Sequence, residues 1–240
     1  MSAWRRGTIV EARPESATGR TLRIRLDSPV RAVPGQRIDV RLTAADGYQA
    51  VRPYSLSDIL GPDLLEISVE EVLDGEVSPY LVRVAEPGDA LEARGPVGEW
   101  FTWDPSVAEP VQLIAGGSGV VPLACMVRAH RAAGATTAMR LLYSVRSPAM
   151  AYYRDEFRGA EGAQGGDGVR IVHVYTRDAP VGYDRSVGRL TEEVIRETAI
   201  PALERPRVYV CGPDGFVDAV TDALVALGHE HGRIRTERFG

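Results

Sequence analysis

The chain has 240 residues, 44% hydrophobic and 25% charged, the balance of an ordinary globular protein with room for one large domain or two. Its net charge of −5 gives no reason to expect a nucleic-acid partner. The two cysteines exclude a disulfide scaffold and point to a reducing compartment, and they fall short of the four thiolates that an iron–sulfur cluster takes.

The first six residues are positively charged, but residues 7–11 form no apolar core of the kind a secretory leader needs. The apolar run at 120–127 is far short of the roughly 20 residues of a membrane helix. A cytoplasmic protein without membrane insertion is expected.

Residues 21–26 and 36–42 alternate polar with apolar side chains, and 64–72 and 89–93 are further strands. Pro34-Gly35, Asp46-Gly47, Gly61-Pro62, Asp74-Gly75 and Pro87-Gly88 punctuate them as turns. Six or so short strands at this spacing predict a closed antiparallel six-stranded β-barrel. One helical turn fits at 78–84, with Pro79 at its first position.

After Trp103-Asp104-Pro105 the rhythm changes. A short apolar strand at 111–115 leads into a helix reaching about residue 133. A strand at 138–143 and a helix around 152–158 follow, and then a loop at 159–168. Segments 169–175, 190–198, 208–210 and 216–227 continue the alternation, and 234–239 is a last strand. This pattern predicts an α/β doubly wound parallel sheet covered on both faces. The expected domains are 1–104 and 105–240.

Five short motifs carry the chemistry. Gly116-Gly117-Ser118-Gly119-Val120-Val121-Pro122 joins a buried strand to a helix. There, glycines allow a sharp turn and free amides favour a pyrophosphate, unless the segment is only a glycine-rich turn. Pro122 stands where the usual dinucleotide fingerprint has its third glycine, and proline suits a first helical turn. Ser144-Val145-Arg146-Ser147 follows the next strand, where an NAD-preferring fold places an acid. Ser144 and Arg146, with Arg177 after the third strand, are candidates for a 2′-phosphate and hence for NADPH over NADH. Arg177 reads equally well as a solvated loop arginine.

Arg52-Pro53-Tyr54-Ser55 closes a barrel strand and offers a cation, an aromatic ring and a hydroxyl within four residues. A flavin uses all three, whereas an isolated amphipathic strand would use none. Gly75-Glu76-Val77-Ser78 adds a turn into a short helix, a second place for an anion. Cys211-Gly212-Pro213 lies at the carboxyl edge of the parallel sheet, where ligands gather; alternatively it is a tight turn with an inert thiol. The four histidines show no ligand spacing, and no metal site is expected.

Taken together these motifs resemble the ferredoxin–NADP reductase family of flavoprotein reductases, over nearly the whole chain. The shared patterns are R-x-Y-S, G-x-x-S, G-G-x-G-x-x-P and C-G-P, and residues 143–147 and 153–157 are similar too. The resemblance implies a flavin-binding barrel followed by a nicotinamide-binding α/β domain. It implies that Arg52 pairs with the flavin phosphates, with Pro53 beside it. Tyr54 would stack on the flavin and Ser55 hydrogen-bond near N5. Gly75, Val77 and Ser78 would hold the flavin pyrophosphate. Gly117, Ser118, Gly119 and Pro122 would hold the dinucleotide, and Cys211, Gly212 and Pro213 the nicotinamide side. Glu237 would lie near the reacting rings and Phe239 close to the isoalloxazine. Ser55, Cys211 and Glu237 are therefore the expected catalytic residues.

The expected activity is hydride transfer from NADPH, or NADH, to bound FAD rather than FMN. Single electrons would then pass to a separate acceptor such as a ferredoxin, an oxygenase component or a haem protein. Arg5, Arg6, Arg20, Arg23 and Arg25 either dock an acidic iron–sulfur partner or form a solvated face. A flavin reductase that releases reduced flavin and a non-catalytic nucleotide-binding module are the alternatives.

Overall fold

A computed structural model describes residues 3–158 and 168–239. The first two residues, residues 159–167 of the expected loop and Gly240 lie outside the described residues. The chain divides into two compact units, Met1–Trp103 and Asp104–Gly240.

In the first unit six strands close into a barrel: β1 (Trp4–Ser16), β2 (Gly19–Leu26), β3 (Arg37–Thr43), β4 (Gln49–Ile59), β5 (Leu64–Glu70) and β6 (Ala90–Val97). Their order is β1-β2-β5-β4-β3-β6, antiparallel throughout. Alternate side chains fill the interior, among them Leu22, Ile24, Ile38, Val40, Leu65 and Ile67, each at most 1% exposed. Strand β1 is absent from the sequence-based expectation. Only Gly7 and Ile9 of its 13 residues are buried, so it carries too little alternation to announce itself.

Side chains directed away from that core form an ionic network that ties four strands together. Glu66 on β5 is fully buried; its Oε2 accepts from Arg13 Nη1 and Arg23 Nε at 3.0 Å each. Its Oε1 accepts from Ser57 Oγ at 2.9 Å, so both carboxylate oxygens are satisfied despite burial. The short helix α1 (Ser78–Arg83) has Pro79 as its second residue rather than its first. Arg20 fastens the end of this helix, its Nη1 donating to the Ala85 carbonyl at 2.6 Å.

The second unit holds five parallel strands: β7 (Val111–Gly116), β8 (Met139–Val145), β9 (Val169–Tyr175), β10 (Arg207–Gly212) and β11 (Ile234–Arg238). They run in the order β11-β10-β7-β8-β9. Helix α2 (Val120–Ala132) packs on β7, β8 and β10. The opposite face, through Ile114, Leu142, Val208 and Val210, buries α4 (Glu192–Thr198) and α5 (Asp214–Ala226). This is the doubly wound sheet the alternation predicted. Helix α3 (Arg154–Arg158) starts later than expected, because Tyr153 at φ 56° is left-handed and cannot belong to it. No described helix is long and apolar enough to cross a membrane.

Candidate functional site

Strand β4 changes partners half-way along. Residues 49–55 pair with β3, and β5 joins only from Leu56 onward. Arg52-Pro53-Tyr54-Ser55 therefore occupies the stretch with one strand neighbour, where a proline removes no bond from a second ladder. Arg52 and Pro53 are exposed, while Tyr54 and Ser55 are half-buried. Burial pushes the Tyr54 phenol up, so it stays protonated and neutral. The segment thus presents an exposed guanidinium beside a neutral ring and a hydroxyl, a donor set that fits a flavin and its phosphates.

The turn after β5 approaches the same arginine. Arg52 Nη2 donates to Glu76 Oε2 at 2.5 Å, and Tyr48 Oη donates to Glu76 Oε1 at 2.5 Å. The Tyr48 bond, and then Arg52, hold the Glu76 carboxyl below its usual range. Ser78 Oγ accepts from the Val72 amide at 3.0 Å and so braces the turn that carries Gly75 and Val77. Sequence reasoning assigned Gly75, Val77 and Ser78 and passed over Glu76, whose charge has the wrong sign for a phosphate site. Tyr48 was also missed. Its signal was the Asp46-Gly47 turn, which delivers it to the start of β4.

In the second unit the strand order reverses between β7 and β10, the point at which such sheets bind ligands. Gly117, at φ 58°, turns the chain into a single 3-10 turn over Gly117–Gly119, and α2 follows at once. A Cβ at Gly119 would stand 2.2 Å from the Cys211 carbonyl oxygen and 2.8 Å from the Gly212 nitrogen. Only a glycine lets the two loops meet. Pro122 is buried in the first turn of α2.

Cys211 is 2% exposed and is the register partner of Glu237 on β11. Burial, and then the Glu237 charge, push its thiol well above the ordinary range, so it is no thiolate nucleophile. Pro213 precedes α5, its carbonyl accepting from the Phe216 and Val217 amides at 2.9 and 3.0 Å. The Phe239 amide donates to the Gly212 carbonyl at 3.3 Å, which ties the tail to the same turn. The structure thus brings Gly119, Cys211, Gly212, Glu237 and Phe239 together.

The Arg146 carbonyl accepts from the amides of Arg177 and Asp178 at 3.0 and 3.1 Å, so the loops after β8 and β9 run side by side. Both arginines are exposed, but Ser144 is only 6% exposed, inside the sheet opposite Gly116. A cavity of about 650 Å³ lies along β9, lined by His173, Tyr175, Tyr183, Arg154 and Arg170. None of the sequence-assigned residues lines it.

The arginines considered for docking do not form one free basic face. Arg20 pairs with Glu86 at 3.2 Å, Arg23 with Glu11 at 2.5 Å, and Arg25 with Asp63 at 3.1 Å. Arg5 donates to the Gly95 carbonyl at 3.3 Å. Among the described residues, no group of three or more His, Cys, Asp or Glu is arranged to hold a metal ion.

Residues 6–102 match the model of the oxidoreductase FAD-binding domain, and residues 113–222 that of the oxidoreductase NAD-binding domain. Ferredoxin–NADP reductase B of Sorangium cellulosum is 33% identical over 213 residues, covering 85% of this chain and 84% of that protein. The chain belongs to the ferredoxin–NADP reductase-like family of flavoprotein oxidoreductases. A flavohemoprotein of Rhodopirellula baltica is 35% identical over 221 residues, covering 86% of this chain and 52% of its own length. This reductase-family chain thus spans about half of that relative. The crystal structure of the FAD/NAD-binding domain of nitric oxide dioxygenase from Vibrio cholerae superposes with a TM-score of 0.85 at 26% identity, covering 98% of each chain.

Proposed function

We propose that this chain passes reducing equivalents from NAD(P)H through bound FAD to a separate acceptor protein with an iron–sulfur, oxygenase or haem centre. The observation that carries the reading is the switch point of the second unit. Gly119 is pressed on the Cys211 carbonyl there, and Glu237 and Phe239 are attached to the same turn. When bound, FAD supplies the means to accept a hydride and to release electrons one at a time.

In the first unit, Arg52 would neutralise flavin phosphate, Tyr54 would lie against the ring, and Ser55 would donate a hydrogen bond near N5. Pro53 would hold the strand extended between them. Gly75, Val77 and Ser78 would present the turn to the pyrophosphate. In the second unit, Gly117, Ser118 and Gly119 would cradle the dinucleotide phosphates, with Pro122 fixing the first turn of α2. Cys211, Gly212 and Pro213 would bound the nicotinamide. The neutral Cys211 would serve as a packing surface and Glu237 as the nearby polar group. Orientation is the protein's main contribution, since a hydride moves only between aligned rings.

Anaerobic mixing of the flavin-loaded protein with NADPH and NADH is the direct test. Rapid loss of the flavin's visible absorption is expected, and a protein that takes up no flavin would refute the reading. If the flavin is lost on gel filtration and turnover follows added flavin, the flavin-reductase alternative would replace it.

Arg146 and Arg177 support NADPH as the donor, both being exposed cations at adjoining loops. Arg146→Ala should raise the KM for NADPH roughly tenfold and leave that for NADH within about twofold. Equal effects on the two would remove the case for a 2′-phosphate contact.

A further inference from the structure

We propose that Glu76, pinned by Tyr48, determines flavin affinity by holding a negative charge on the arginine that meets the flavin phosphates. The proposal rests on the assignment of Arg52 to those phosphates. The Glu76 carboxylate is held from two sides, by Tyr48 Oη at 2.5 Å and by Arg52 Nη2 at 2.5 Å. Arg52 Nη1 donates to the Val51 carbonyl at 2.7 Å. Both terminal nitrogens of the guanidinium are thus engaged within the chain. A phosphate at Arg52 must share it with that carboxylate or displace it from the guanidinium, against the hold of Tyr48 on its other oxygen.

The Arg52 and Glu76 side chains are 48% and 43% exposed, so water screens the repulsion and the effect is moderate rather than prohibitive. The penalty falls only on ligands that carry phosphate. FAD and FMN meet the carboxylate, whereas riboflavin, with the same ring and no phosphate, does not. Glu76 thereby separates retention of the ring from retention of its phosphate tail.

Glu76→Gln keeps the size of the side chain and one acceptor oxygen and removes its charge. Titration of the flavin-stripped full chain with FAD and with riboflavin, followed by fluorescence, provides the test. The variant should bind FAD roughly three- to tenfold more tightly and riboflavin unchanged. Unchanged or weaker FAD binding would overturn the proposal, and so would an equal gain for riboflavin. Wild-type protein that binds neither flavin would overturn the flavin reading itself, and this inference with it.

Discussion

Gly119→Ala should destabilise the protein by about 3 kcal/mol or more and cut kcat/KM for NAD(P)H roughly a hundredfold. The reason is steric and lies in the backbone. The added methyl would stand 2.2 Å from the Cys211 carbonyl oxygen and 2.5 Å from its carbon. No side-chain rotation can relieve that overlap, so α2 must move away from β10. The thermal midpoint should fall by roughly 10 °C. Gly117→Ala provides the contrast. Gly117 needs a left-handed conformation at φ 58°, yet nothing lies within 4 Å of the methyl it would gain. Its cost should be about 1–2 kcal/mol, the strain of the conformation alone. Thermal unfolding and steady-state kinetics of the two variants check the ranking. Equal losses would show that the contact with Cys211 does not govern the site.

Arg52→Ala should weaken FAD binding about a hundredfold, with thermal stability close to wild type. Arg52 is exposed on a stretch with a single strand neighbour, and its described ion pair is with the exposed Glu76. Removing it deletes the cation and also leaves the Glu76 carboxylate uncompensated beside any phosphate. Adding Glu76→Gln to Arg52→Ala should therefore recover part of the loss. Isothermal titration of the single and double variants with FAD measures both effects. If Arg52→Ala retains flavin at wild-type affinity, the phosphates are held elsewhere.

The sequence determined whatever is decided by neighbours along the chain. Gly116-Gly117-Ser118-Gly119 turns a buried strand into a helix through local backbone chemistry, and that is legible from glycine spacing alone. The change from period-two alternation to strand–helix alternation after Trp103 likewise announces an antiparallel barrel followed by a parallel sheet. The Arg52-Pro53-Tyr54-Ser55 composition marked a strand, but only pairing showed that residues 49–55 have one partner and thus an open side. Strand β1 escaped notice because its burial comes from β2 and β6, and most of its side chains remain partly exposed or exposed. Ser144 read as a ligand hydroxyl, yet the sheet closes over it and leaves Arg146 and Arg177 as the exposed pair. The charge on Arg52 was plain in the sequence. Its partner was not, since Glu76 is 24 residues away and no periodicity links the two. Local conformation follows from residue type. Which charges share a neighbour depends on strand register and loop closure, and these are fixed only when distant segments pack.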